Sequence, residues 1–195
     1  MARKPRQLIP QTAYHVTARV NRQEMILESN EIKELFLCIT KRAKDKYGFK
    51  LRNFCLMGNH IHLDIEPGSA ANLSRIMQWI LSVFARHYNT LYGYKGHVWY
   101  DRFKSKAIQG FQQLANTFRY ISNNPVRANL VNHPLEYAYS GISCYKNNRL
   151  GILDPPDNII NALIDAILSN YCVDNGREVI AACSFLPKKA QKQIK

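Results

Sequence analysis

Apolar and polar side chains alternate from Tyr14 to Val20, with Tyr14, Val16, Ala18 and Val20 on one side and His15, Thr17 and Arg19 on the other. Successive strand residues point to opposite faces, so this pattern predicts a half-buried strand. The period then changes. Ile32, Leu35, Phe36 and Ile39 recur at three- and four-residue steps, which predicts a helix over about 29–47. Ser29 or Asn30 suits its start, Glu31 and Glu34 its positive end, and Gly48 its stop. Residues 49–57 read as a second strand and Gly58-Asn59 as a two-residue turn. Alternation returns from His60 to Glu66: Ile61, Leu63 and Ile65 point one way, and His60, His62, Asp64 and Glu66 the other. Pro67-Gly68 breaks it. Leu73, Ile76, Met77, Ile80, Leu81, Phe84, Tyr88 and Leu91 trace the core stripe of a long helix over about 72–92. Residues 98–108 read as a fourth strand with Arg102, Lys104 and Lys106 on one face. Leu114, Phe118 and Ile121 mark a shorter helix over about 111–123. Its polar side carries Gln113, Asn116, Thr117 and Tyr120, and Pro125 limits it.

The order β-α-β-β-α-β predicts an α+β fold, a ferredoxin-like split βαβ sandwich. A four- to five-stranded antiparallel sheet would carry helices on one face and leave the other open. His15, Thr17, Arg19, His60, His62, Arg102, Lys104 and Lys106 would then share the open face. Residues 1–149 are expected to form this domain and residues 150–195 a helical C-terminal appendage. In the appendage Asp157 caps a helix holding Ile159, Ile160, Leu163, Ile164, Ile167 and Leu168. A second short helix is expected over 178–183, ahead of a basic tail.

Composition sharpens this picture. The 195 residues are 46% hydrophobic and 21% charged, enough for a packed core and unlike a disordered chain. Lys and Arg number 27 against 14 Asp and Glu, a net charge of +13 that points to a polyanionic partner, most often nucleic acid. Five widely spaced cysteines without a Cys-x-x-Cys pair fit a reduced, cytoplasmic protein. Cys55 lies near the histidines in sequence, but without a second cysteine it reads as a core thiol. The stretch 76–84 is too short to span a membrane, so none is expected as a partner. The basic N-terminus lacks the apolar run of a signal peptide.

Two places could carry chemistry. His60 and His62 stand two apart on a strand, so both imidazoles can meet one ion. A bare His-x-His pair is a weak signal, and the site needs a further ligand. Tyr120 stands opposite the apolar stripe of its helix, and Asn124 follows four residues later on the same side. Asn124 could complete a metal shell begun by the histidines. Asp64 and Glu66 share the histidine face but move away along the strand, which makes them secondary candidates.

These residues also resemble a known family. Leu-Met-Gly-Asn-His60-Ile-His62-Leu looks like the histidine–hydrophobic–histidine (HUH) motif of the single-tyrosine transposases. Tyr120-Ile-Ser-Asn-Asn124-Pro125-Val-Arg127-Ala is similar to the tyrosine motif of the REP-associated tyrosine transposases. Tyr14-His-Val-Thr-Ala-Arg19-Val-Asn21-Arg22 resembles that family's first-strand signature, and residues 96–104 its fourth-strand segment. The motifs run in the family's order from about Arg3 to Tyr145. Val20 stands where glycine is common, Ser122-Asn123 replaces bulkier residues, and the likeness fades beyond about residue 150.

The resemblance implies an enzyme that nicks and rejoins single-stranded DNA. A divalent ion, Mg2+ or Mn2+, would be held by His60, His62 and Asn124. Tyr120 would be the nucleophile, forming a 5′-phosphotyrosine link and releasing a 3′-hydroxyl. The substrate would be hairpin DNA of the repetitive extragenic palindromic (REP) type. DNA-binding candidates are His15, Arg19, Arg22, Arg102, Lys104, Lys106 and Arg127, with Trp99 or Tyr100 available for base stacking or for the core. A monomer with Tyr120 acting in cis is the expected state, a homodimer the alternative. Two rival functions stand beside this one. A ferredoxin-like nucleic-acid-binding module would need no catalysis, and a metal-dependent phosphodiesterase would use water in place of Tyr120.

Overall fold

The structure is a computed structural model that describes residues 8–9, 12–69 and 71–172. Four strands, β1 (Ala13–Arg19), β2 (Phe49–Leu56), β3 (His60–Pro67) and β4 (Lys104–Ile108), form one antiparallel sheet in the order β2-β3-β1-β4. Helices α1 (Asn30–Tyr47) and α2 (Leu73–Tyr92) supply the crossovers. The order is the split βαβ arrangement that the alternating pattern predicts.

Local chemistry explains the helix bounds. The Ser29 side chain accepts a hydrogen bond from the Ile32 amide, and Asn72 accepts from the Ser74 and Arg75 amides. Each cap satisfies donors that a first turn leaves open. Both helices stop on glycines in the left-handed region, Gly48 at φ 61° and Gly93 at φ 67°. Their apolar stripes, with Phe36, Ile39, Ile80 and Phe84, bury against Val16, Ala18, Leu63 and Ile65 of the sheet. Trp99 belongs to this core: it packs on Phe36 and Phe84, and its indole N–H donates to the Leu81 carbonyl at 2.9 Å.

The open face is narrower than the pattern alone suggests. Helix α3 (Phe111–Ser122) lies across part of it, followed directly by α4 (Asn124–Arg127), α5 (Gly141–Lys146) and α6 (Asn158–Cys172). Leu114 and Phe118 of α3, Ile142 of α5, and Ile160, Leu163, Ile164 and Ile167 of α6 form a second core with Ala13 and Ile108. Asp157 caps α6 by accepting from the Ile159 and Ile160 amides. The expected helix over 178–183 and the basic tail lie outside the described residues.

The fourth strand is a correction. It begins at Lys104 and not near residue 98. Upstream, Val20 and Trp99 make an isolated bridge, the Tyr100 amide donates to the Arg19 carbonyl, and Asp101 accepts from the Arg102 amide at 2.6 Å. That bend takes Arg102 out of the ladder. It lines a cavity beside α2, away from Lys104 and Lys106.

Candidate active site

Strand register assembles the site. In the β1–β3 ladder Thr17 faces His62 and Arg19 faces His60. In the β1–β4 ladder Lys106 faces His15 and Lys104 faces Thr17. Directly paired residues share a face, so three strands present His15, Thr17, Arg19, His60, His62, Lys104 and Lys106 together. Helix α3 then brings Tyr120 over them. Its ring centroid lies 5.4 Å from that of His62 and 5.7 Å from that of His15. The His60 and His62 rings are 5.0 Å apart, edge to face.

The two histidines are wired differently. His62 is 3% exposed. Its Nδ1 lies 3.0 Å from His15 Nε2 and 3.2 Å from Thr17 Oγ1, while its Nε2 is buried with no hydrogen-bond partner. The contacts are satisfied when Nδ1 carries the proton and donates it to His15, which leaves the Nε2 lone pair free. A buried polar atom without a partner costs free energy unless something completes it. His60 Nδ1 lies 2.7 Å from Asn59 Oδ1, and in the tautomer that donates there Nε2 carries the ring's lone pair. Burial, with His15, His60 and Arg19 close by, pushes the His62 pKa down to about 3. Burial and then Arg19 lower His60, against a hydrogen bond that it donates to the Asn124 side chain; burial and then Lys106 lower His15. All three imidazoles are thus biased towards the neutral form, which can donate a lone pair to a metal.

Asn124 is 8% exposed and opens α4, where Pro125 occupies a first-turn position that its missing N–H suits. Pro125 therefore does not end the helical path but begins its next segment. Arg127 follows, its guanidinium 5.3 Å from the centre of the Tyr120 ring. The donor set is two imidazoles and an amide oxygen. Among the described residues no group of three His, Cys, Asp or Glu side chains is placed to hold a metal. The two histidines with Asn124 nonetheless fit a divalent ion, because His62 Nε2 is an orphaned lone pair and Asn124 sits against His60.

Asp64 and Glu66 are engaged elsewhere. Asp64 is fully buried and bonded to Arg52 at 2.8 Å, and Glu66 lies 3.7 Å from the same guanidinium. Cys55 is buried with Met57 and Ile121, and burial raises its thiol pKa. Arg22 and Arg102 stand apart from the histidine cluster, each beside its own cavity.

One residue escaped the sequence reading. Asn53 is fully buried on β2. Its amide nitrogen donates to the Phe118 carbonyl at 3.2 Å and to Ser122 Oγ at 3.0 Å, and its oxygen accepts from the Phe54 amide. It clamps the helix that carries Tyr120 to the sheet that carries the histidines. A Cβ on Gly141 would collide with the Asn53 oxygen, so that glycine keeps the clamp's space. The signal in the sequence was a polar residue standing directly after Arg52, where the alternation of Phe49 and Leu51 calls for an apolar one. Tyr171 of α6 adds a second brace, its hydroxyl 3.2 Å from Asn123 Oδ1.

Comparison with known proteins completes the description. The family model for IS200-like transposases matches residues 9–124. A solved REP-associated tyrosine transposase, bound to a REP hairpin, superposes with a TM-score of 0.64 at 18% identity, covering 82% of this chain and 93% of its own. That likeness shows the fold. A structure from Deinococcus radiodurans R1, whose name proposes a transposase, gives a TM-score of 0.45 at 16% identity, covering 63% of this chain and 97% of its own, too loose to carry an argument. No curated protein matches the chain.

Proposed function

The chain belongs to the IS200-like transposase family, a family of DNA-processing enzymes, and from that premise we propose that it cuts and rejoins single-stranded DNA with Tyr120 as the nucleophile. The observation that carries this reading is the edge-to-face contact of Tyr120 with His62, whose Nε2 is buried and unpartnered. The phenol gives up its proton as its oxygen attacks the scissile phosphorus, the P–O3′ bond breaks and the 3′-oxygen leaves as a hydroxyl by taking up a proton, and a 5′-phosphotyrosine link holds the other DNA end. The ester conserves the bond energy, so the reverse attack rejoins the strand without a nucleotide cofactor.

The other residues divide the work. His60, His62 and the Asn124 amide oxygen would hold Mg2+ or Mn2+, which when bound supplies Lewis-acid polarisation of the scissile phosphate. His15 and Thr17 hold His62 in the tautomer that keeps Nε2 available. Arg127, over the Tyr120 ring, places a positive charge beside the attacked phosphate. Arg19, Lys104 and Lys106 contact the strand's phosphates, with Arg22 and Arg102 further along it. Tyr120 acts in cis, because its ring already lies on the histidines of its own chain, and a monomer suffices. The solved REP-associated relative is bound to a REP hairpin; a palindromic hairpin with a single-stranded flank is the substrate class proposed here. The described part of the C-terminal extension, residues 150–172, braces α3 through helix α6.

Incubation with single-stranded hairpin DNA and Mn2+, followed by denaturing electrophoresis, tests the proposal. The native protein should give a denaturant-resistant protein–DNA adduct. Tyr120→Phe should lose both adduct and cleavage while retaining DNA binding. Cleavage that survives in Tyr120→Phe would assign the chemistry to water, and binding without any adduct in the native protein would leave a binding module.

A further inference from the structure

Three tyrosines gather at the far end of α2, away from Tyr120. The Tyr88 and Tyr92 ring centroids are 4.8 Å apart, and Tyr94 lies 6.1 Å from Tyr88 and 6.0 Å from Tyr92, its plane within 22° of the latter. Gly93, in the left-handed region, ends the helix and folds Tyr94 back beside the other two; the Tyr94 amide donates to the Asn89 carbonyl at 2.9 Å. Tyr88 packs on Phe84 at the edge of the core, and the other two rings extend from it into solvent. Tyr92 is 47% exposed and Tyr94 60%.

Tyr88 and Tyr94 line a cavity of about 610 Å³ together with Arg22, Glu24 and Lys95. Two cations against one carboxylate give the wall a positive balance. Arg22 and Gln23 sit consecutively in the left-handed region, at φ 52° and 59°, where residues with side chains seldom lie. Asn21 holds this turn by accepting from the Arg22 amide, and Asn59 holds it by donating to the Gln23 carbonyl at 3.4 Å. The same Asn59 side chain accepts from His60 Nδ1. The turn that brings Arg22 to the wall of the tyrosine cavity is therefore tied to the histidine strand through one residue.

We infer that Tyr88, Tyr92 and Tyr94 form a stacking platform for unpaired nucleotide bases, with Arg22 and Lys95 on the adjoining phosphates. The inference rests on the reading of the chain as an enzyme of single-stranded DNA, and it extends the strand's path from His60 around the Asn21–Gln23 turn. Aromatic faces open to solvent beside cations suit single strands, because every base offers a π-face and the backbone offers the charge. Glu24, on the same wall, keeps the net attraction modest and leaves stacking as the main contribution.

Fluorescence anisotropy with a labelled oligodeoxythymidylate and an abasic oligomer of equal length, both in EDTA, tests the platform. Tyr92→Ala combined with Tyr94→Ala should weaken oligodeoxythymidylate binding about ten- to hundredfold, the scale of one or two lost stacks. Tyr92→Phe with Tyr94→Phe should bind like the native protein, and the abasic oligomer should bind native and alanine forms alike. Unchanged affinity in the alanine form, or equal loss in the phenylalanine form, would overturn the platform. So would a dimer-to-monomer shift in sedimentation with affinity unchanged, which would assign the tyrosines to contact between copies. The assay involves no cleavage, so a missing Tyr120 adduct leaves it standing. Native protein that binds neither oligomer would sink the single-strand reading itself.

Discussion

At the scale of single residues, the site depends on side chains that hold others in place. Asn53→Ala removes the amide that ties β2 to Phe118 and Ser122. It leaves buried groups unpartnered, which should cost about 1–3 kcal/mol in urea denaturation. Adduct formation should fall further than the unfolded fraction explains, since Tyr120 is two residues from each anchor. Activity that tracks stability alone would reduce Asn53 to an ordinary core contact. His62 gives a pH prediction. Its folded-state pKa, about 3, lies below the ordinary histidine value. Between those values the unfolded chain binds a proton that the folded chain refuses, so stability falls as pH drops below about 6.5. In chelator, native protein should lose about 2 kcal/mol more than His62→Gln between pH 6.5 and 5; parallel curves would contradict the buried neutral histidine. The sequence displayed His60, His62, Tyr120 and Asn124 because strand and helix periods fix their faces. It did not display Asn53, His15 as the partner of His62, or the Arg52–Asp64 pair, because those depend on register between strands.

At the scale of elements, legibility followed how local the cause is. α1 and α2 carry apolar stripes, side-chain caps and stop glycines, and all three signals lie within the helix itself. The start of β4 was misread because alternation continues upstream through residues that answer to Arg19 and α2 instead of to a ladder. α3 lacks a side-chain cap at Gly110, so only its stripe announced it, and nothing local says that it covers the sheet's second face. That placement comes from Phe118, which is fully buried, and from α6 behind it. Phe118→Ala should therefore cost about 3–5 kcal/mol. The milder Asp157→Ala should cost about 1 kcal/mol, the usual worth of such a cap. If α6 braces α3 as proposed, Asp157→Ala should also raise hydrogen exchange in α3. Exchange confined to α6 would make the two helices independent.

At the scale of the whole molecule, the net charge of +13 overstates the DNA-binding surface, because basic residues are spread over both faces. Lys41 lies exposed on α1, behind the sheet, while Lys104 and Lys106 lie exposed on β4 beside His15 and Thr17. Among the described residues no helix is long and apolar enough to cross a membrane. Only cations that touch phosphate release counterions, and each lowers the slope of log affinity against log salt by about 0.7 for a single strand. Lys104→Gln with Lys106→Gln should therefore flatten the slope by about 1.4, whereas Lys41→Gln should leave the slope untouched while changing net charge by the same kind of step. Titrations of single-stranded DNA over a range of salt separate a placed contact from diffuse attraction. Equal flattening by Lys41→Gln and by either β4 lysine would mean that the strand responds to total charge, and the histidine face would lose its claim to be where the DNA lies.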